Sequence, residues 1–494
     1  MPERLEAAEF PLNTRLQNSQ RRLEWALFVL FLFTLPLLNP WVRGDGVGYY
    51  AYLRAPLIEH SLDFTRDYQR ANQSFRFACI DDLGQFRSEC LTPTGHLENH
   101  FTVGPALLWS PFLVLTHAGV LLAQRFGSHV PADGFSFPYR YAMAFATGLY
   151  GFLGLWLSFR LARRYVQPVW AFLATLAIWW ASSLPVYMYF NPSWSHAHSA
   201  FVCALFFFYW DATREHRTLG QWVILGLIAG LMLNVYYPNL MLLAALLVEA
   251  ILEYARIFRS EPTRRQLSLQ LFSRHLLFGL VVCIVMIPTF VTRWVVYGSP
   301  LESGYTRLRD FLWSSPVFLA VLFSSNHGLL FWTPLLGFAI LGLLLFARRW
   351  PGPGFPLIAA LLAYYLFISF YPNWNGISSY GNRFFVSLTP LFVLGLAYLL
   401  QRVAALFSWP RPILVSSAVL ALFALWNLGM IYQWGLHLVP TRGPVSLREA
   451  AYNQFCVVPV RLSSSLRNYF WRRGDLMRQI EKKDIQELNQ SAAP

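Results

Sequence analysis

Stretches without a single Asp, Glu, Lys or Arg recur along the chain at the length of a membrane helix. They run Trp25 to Val42, Phe101 to Gln124, Tyr141 to Phe159, Tyr165 to Trp210, Thr218 to Val248, Leu276 to Thr292, Phe311 to Ala347, Trp350 to Asn382, Phe384 to Gln401 and Ile413 to Thr441. A spanning helix needs about 20 mostly apolar residues, so the longest of these stretches hold two helices each. The pattern predicts an all-α polytopic membrane protein with its helices joined by short polar segments.

Between the runs, arginines cluster at Arg160, Arg163 and Arg164, in DATREHR, at Arg256, Arg259, Arg264 and Arg265, and at Arg348 and Arg349. The positive-inside rule places these in the cytoplasm. Residues 43–100, YFNPSWSHAH, NVYYPN, GSPLESGYTRLRD and YPNWNGISSYGNRF then face outward, and they are rich in Tyr, Trp, Asn, Pro and His. The first outer loop carries six Arg against eight Asp plus Glu. If Phe101 to Gln124 crossed the membrane, Arg160 to Arg164 would fall outside. Pro105 and Pro111 therefore lead us to expect a re-entrant or hairpin element there, within a bundle of about 11 to 13 transmembrane helices. This divides the chain into a cytoplasmic N-terminus (1–24), a transmembrane domain (25–433) with a long first outer, periplasmic loop (43–100), and a periplasmic C-terminal tail (434–494). The tail has helical patterning near DLMRQIEKKDIQEL but no spanning segment.

Composition agrees: 56% of residues are hydrophobic and 13% charged, too little polar surface to wrap a soluble domain of 494 residues. The net charge of +14 lies in short clusters between apolar runs, which is topology information and not a nucleic-acid surface. Of the five cysteines, Cys79 and Cys90 share one outer polar loop and are expected to form a disulfide.

The segment NPWVRGDGVGYYAYLRAPLIEH, at the outer end of the first apolar run, is the most informative. Asp45 lies between Gly44 and Gly46, with Gly48 following, so backbone and ligand can approach the carboxylate closely. Tyr49 and Tyr50 then open an amphipathic stretch. Taken alone, the segment reads equally well as a helix cap and solvated turn.

Further motifs change that balance. GDGVGYY at 44–50, NHFTVGPALLWSPF at 99–112, SHAHSAF at 195–201, SSNHGLLFWTPLL at 324–336 and SSYGNRFFVSLTPL at 378–391 occur in this order. Together they resemble the GT-C superfamily of membrane glycosyltransferases, of the protein O-mannosyltransferase and lipid A aminoarabinose transferase type. The resemblance covers roughly residues 20–435 and implies a GT-C-like bundle whose catalytic acid maps to Asp45. A lysine that the family places before paired prolines has no counterpart, since Glu98, Asn99 and His100 precede Gly104 and Pro105. His100 is the candidate substitute.

Such chemistry needs a base for the acceptor hydroxyl and a cation for the departing phosphate. Asp45 is the candidate base and Arg383 the candidate phosphate partner, although a snorkelling arginine at a helix end would look the same. His196 and His198, two residues apart, would point to different helix faces, so they are read as separate hydrogen-bond donors and not as a shared metal pair. Glu98, Tyr49, Tyr50 and His327 complete the substrate-binding candidates. The Glu302, Tyr305, Arg307 group is read first as interfacial structure, as is His327.

No metal site is assigned, and a divalent metal stays open. The function expected is inverting transfer of a monosaccharide from a polyprenyl phosphate donor to a glycan, lipid or protein acceptor. It would take place at the periplasmic face of a bacterial inner membrane, without nucleic acid. A polymerase or ligase of lipid-linked glycans and a lipid or sugar transporter are the alternatives.

Overall fold

The computed structural model describes residues 14–492, apart from Phe77, Asp82, 260–263 and 408–409. The chain is helical almost throughout. The principal helices are α1 (Thr14–Thr34), α2 (Asp45–Arg54), α3 (Gly104–Arg125), α4 (Phe137–Ala162), α5 (Pro168–Trp180), α6 (His196–Thr213), α7 (Leu219–Val235) and α8 (Ala244–Phe258). They continue as α9 (Arg264–Val285), α10 (Ile287–Tyr297), α11 (Leu335–Arg349), α12 (Pro351–Phe370), α13 (Thr389–Phe407), α14 (Pro412–Gly435), α15 (Val458–Trp471) and α16 (Arg473–Ala492).

Among the described residues, 6 helices are long and apolar enough to cross a membrane: α3, α4, Arg265–Val285 within α9, α12, Arg383–Phe407 ending in α13, and α14. Other apolar runs fold as shorter helices, because prolines and 3₁₀ turns such as Tyr237–Leu243 interrupt them. Leu115, Leu276, Leu280 and Leu422 are exposed on the outside of the bundle, a surface that only lipid covers favourably. The protein is an integral membrane protein.

Close approach of backbones holds the centre together. A methyl group at Gly342 of α11 would run into the Gly395 carbonyl of α13, and one at Gly395 into the Ala339 carbonyl. Small residues at such crossings let helices associate where lipid removes the usual hydrophobic drive.

The segment 101–124 corrects the hairpin expectation, because it forms the single helix α3. Pro105 sits in its first turn, where the missing N–H would be unpaired anyway. Pro111 lies inside the helix and cannot bond to the carbonyl four residues back, that of Leu107. The Ser110 hydroxyl donates to that carbonyl instead, at 2.7 Å. Both ends of α3 nevertheless pack on the first loop. Before it, the Asn99 amide donates to the Gly48 carbonyl at 2.9 Å. After it, the Gly134 carbonyl accepts from the Tyr50 hydroxyl at 2.7 Å and Asp133 pairs with Arg70 at 2.9 Å.

Polar groups gather at the two ends of α4, which at 1.5 Å per residue is about 39 Å long. Beyond its C-terminus Arg163 pairs with Glu24 at 2.8 Å and Arg164 with Asp211 at 2.7 Å. Before its N-terminus lies the first loop. There Arg54 is buried against Asp67 through two contacts of 2.6 Å, and it reaches Glu59 at 2.9 Å. Cys79 and Cys90 form the expected disulfide.

The tail folds back over this same end. The Tyr469 hydroxyl donates to the Leu37 carbonyl at 2.6 Å, and Arg473 donates to the carbonyls of Pro36 and Leu38 that follow α1.

Candidate active site

Asp45 is the first residue of α2, and the turn that delivers it is built on Gly44. Gly44 has φ +53°, and a side chain there would also press on the Trp194 ring. A methyl at Gly46 would strike Ser193, and one at Gly48 would strike Phe101. These glycines seat α2 against the segment leading into α6, so the close approach anticipated from the GDGVG run is toward protein as much as toward ligand.

Arg383 opens a 3₁₀ turn ahead of α13. Its Nη1 lies 2.7 Å from Asp45 Oδ2, and its guanidinium stacks 4.5 Å over the Trp194 ring. Trp194 is itself fixed by an indole N–H donated to the Arg43 carbonyl at 2.9 Å. Two residues 338 positions apart in sequence, each chosen for a separate role, thus form one ion pair. The approach is close but poorly aligned: among the described residues, Arg383 Nε and Nη1 have no hydrogen-bond acceptor. The guanidinium keeps donors for a ligand.

The other candidates separate into wall and scaffold. His196 is buried beside Tyr187, Trp194 and Tyr236, and its Nδ1 has no partner among the described residues. His198 faces Trp109 and Tyr150 instead, so the two histidines point apart. Tyr49 packs on Phe101 and accepts from the Ser195 hydroxyl at 2.9 Å. Tyr50 is turned away toward Gly134, which makes it an anchor of α2.

Glu98 and His100 lie 3.8 Å apart on the cavity wall, with His100 against Phe101 and Tyr305. Glu302 makes only a local contact, accepting from the Gly304 N–H at 3.4 Å. His327 is buried and stacked on Trp332 at 5.3 Å, with φ +62°. Among the described residues, no three His, Cys, Asp or Glu converge as metal ligands would.

Asp45 opens into a cavity of about 890 Å³. One end is polar, with Arg43, Asp45, Glu98, His100, His437 and Arg442. The other is an apolar groove between α14 and α15, lined by Leu425, Leu428, Ile431, Leu462 and Leu466. Leu425 is also exposed on the outer surface, so the groove opens toward lipid. Helix α16 roofs the polar end. Arg43 pairs with Asp484 at 2.6 Å, and Glu481 accepts from the Ser74 N–H at 2.6 Å.

This arrangement decides the fold. Chain-wide, the structure is similar to ArnT from Cupriavidus metallidurans, with a TM-score of 0.50 at 15% identity over 95% of this chain and 75% of that one. The fold is of the GT-C type. The archaeal oligosaccharyltransferase AglB from Archaeoglobus fulgidus, solved with an inhibitory peptide and a dolichol-phosphate, aligns at a TM-score of 0.45 and 14% identity. That alignment takes in 83% of this chain and 55% of AglB, so the chain spans about half of AglB's length. No protein-family model and no curated protein matches the sequence.

Several residues of this site escape a sequence reading. Buried Arg293, on α10, donates to the carbonyls of Asn99, His100 and Phe101, each at 2.8 Å, and so fixes the turn that carries His100. In sequence it is only the charge that ends an apolar run.

His437 bridges Glu487 at 2.8 Å and Asp484 at 3.2 Å. Burial alone would lower its pKa, but the two carboxylates outweigh burial and hold it above the usual value near 6.5. Burial likewise opposes charge on Asp484, yet Arg43 and His437 keep its pKa below the usual carboxylate range.

A raised histidine pKa contributes stability that is fully present below the unfolded value. That contribution is lost as pH rises through the folded value. Docking of α16 is therefore expected to be firmest below about pH 6.5 and to loosen on the alkaline side. Limited proteolysis of the 473–492 helix across pH 5.5 to 9 (about the range that brackets histidine titration) checks this. The His437→Gln variant should cut at a rate that does not change over that window.

Proposed function

We propose that this protein is a membrane glycosyltransferase that moves a monosaccharide from a polyprenyl phosphate donor to a glycan, lipid or protein acceptor at the outer, periplasmic face of a bacterial inner membrane, with inversion. The observation that carries this reading is that Asp45, paired with Arg383, lines a cavity that joins a polar pocket to an apolar groove. A donor with a charged head and an isoprenoid chain matches both halves.

In the resting state Arg383 neutralises Asp45. When the donor enters, its phosphodiester meets the unused guanidinium donors, and the fork geometry of arginine suits phosphate oxygens. Asp45 is then released to accept the proton of the acceptor hydroxyl. As that oxygen attacks the anomeric carbon, the bond from C1 to the phosphate oxygen breaks, and its electron pair leaves with the phosphate. The leaving group is already good, so the protein's contribution is positioning and charge.

Arg383→Ala is expected to weaken binding of polyprenyl phosphate by roughly 1.5 to 3 kcal/mol, the worth of hydrogen bonds to a charged group. Lys at this position should restore only part of that, since it lacks the planar fork. Titration of the purified variants in nanodiscs makes the measurement. Unaltered binding by the Ala variant would reduce Arg383 to an interfacial anchor and remove this reading's main support.

A further inference from the structure

Resting on the donor reading above, we infer that Arg442, in the tail, is the second cation for the donor phosphate and takes up the charge that develops on it during transfer. It lines the same cavity as Asp45. Its neighbours Asp484 and Glu487 are occupied elsewhere, Asp484 by Arg43 at 2.6 Å and both by His437. Arg442 itself enters no ion pair with any described residue, although Asp484, Glu487 and Asp45 all lie within electrostatic range. Arg43, which also lines the cavity, and Arg383, which reaches it only through Asp45, each hold a carboxylate. Arg442 is the one with its full charge unspent.

Charge balance gives it a task. A polyprenyl phosphosugar carries one negative charge on its phosphodiester. As C1 departs, the phosphate keeps the electron pair of the broken bond and becomes a monoester with up to two. The acceptor proton goes to Asp45, so Arg383 loses its carboxylate partner as the phosphate gains charge. One arginine shared with Asp45 suffices for the donor. A second, uncommitted arginine favours the product-like phosphate, and stabilisation of that kind lowers the barrier as well as the ground state of the product. Arg442 thus supplies from the tail a cation that the Glu98, Asn99, His100 approach to Pro105 does not. It arrives there because the His437 clamp on Asp484 and Glu487 fixes the 437–442 turn, with the Thr441 N–H also donating to Glu487 at 3.2 Å.

The test compares undecaprenyl phosphate, a monoester of up to two negative charges, with its methyl diester, which like the donor carries one, as ligands of the wild type, Arg442→Ala, Arg442→Lys and Arg383→Ala. Arg442→Ala is expected to weaken the monoester by about ten-fold or more and the singly charged methyl diester much less, while Lys keeps most of the monoester affinity. Since Arg442 makes no hydrogen bond that holds the fold, proteolysis of α16 should not change, and this separates charge loss from tail undocking. Equal loss for both ligands, or none for either, overturns the role of Arg442. If wild type binds neither ligand, the donor reading itself fails; if only Arg383→Ala loses monoester affinity, that reading stands and Arg442 alone is removed.

Discussion

Asp45→Asn is expected to lower turnover by about 100-fold or more, the usual reach of a positioned general base, while binding polyprenyl phosphate no more weakly than the wild type. Asn keeps the shape and most hydrogen bonding of the side chain but cannot take a proton. It also releases Arg383, whose 2.7 Å pairing with Asp45 competes with the donor phosphate. The two effects have opposite signs, and this distinguishes a catalytic acid from a structural one: a merely structural Asp45 would lose both activity and affinity on substitution. Asp45→Glu should not restore full activity, because the added methylene shifts the carboxylate by about an ångström and positioning dominates such steps. Transfer of labelled sugar from a polyprenyl phosphate donor into membrane acceptors is the measurement. Full activity in the Asn variant would take Asp45 out of the chemistry.

Arg54→Ala should have the largest effect on stability, about 3 to 5 kcal/mol, the cost of leaving a buried charge without its partner. Arg54 and Asp67 have side chains only 1% and 2% exposed and meet through two contacts of 2.6 Å. Arg54 also stacks 4.6 Å from Phe135 and ends the helix that Asp45 begins. Losing it frees α2 at its far end, so activity falls together with the melting temperature in detergent. Removing both charges, as Arg54→Met with Asp67→Leu, should recover much of the stability, because an apolar pair avoids the desolvation penalty. A single variant that melts with the wild type would show that the first loop is held by other contacts.

Features that depend on local composition were legible in the sequence. Charge-free runs gave the helices, and two cysteines in one oxidising loop gave the bridge. Asp45 and Arg383 were each found from their place at the end of an apolar run, but their pairing was not, because nothing local records a contact between positions 45 and 383. Arg293, Arg442 and the His437 clamp were missed for the same reason: their partners are backbone carbonyls, cavity space or carboxylates distant in sequence. The prolines of α3 misled for a different one. A proline at a helix start costs nothing, and at Pro111 a serine hydroxyl covers the stranded carbonyl. A breaker residue is informative only once its neighbours' hydrogen bonds are counted. Tyr50 shows the converse, since five residues beyond Asp45 it lies about 140° around the same helix.

The contact between Arg43 and Asp484 closes a loop of 441 positions. Chain closure over such a separation must wait for the intervening helices to insert and pack, since its entropy cost is repaid only when they already hold the ends near each other. The transmembrane bundle is therefore expected to assemble first, with the α16 roof arriving as a late event on a finished floor. The order reverses under stress. The ties of α16 are long-range in sequence and largely hydrogen bonds and ion pairs, so it is expected to undock, and transfer to fail, before the bundle shows any loss of helix.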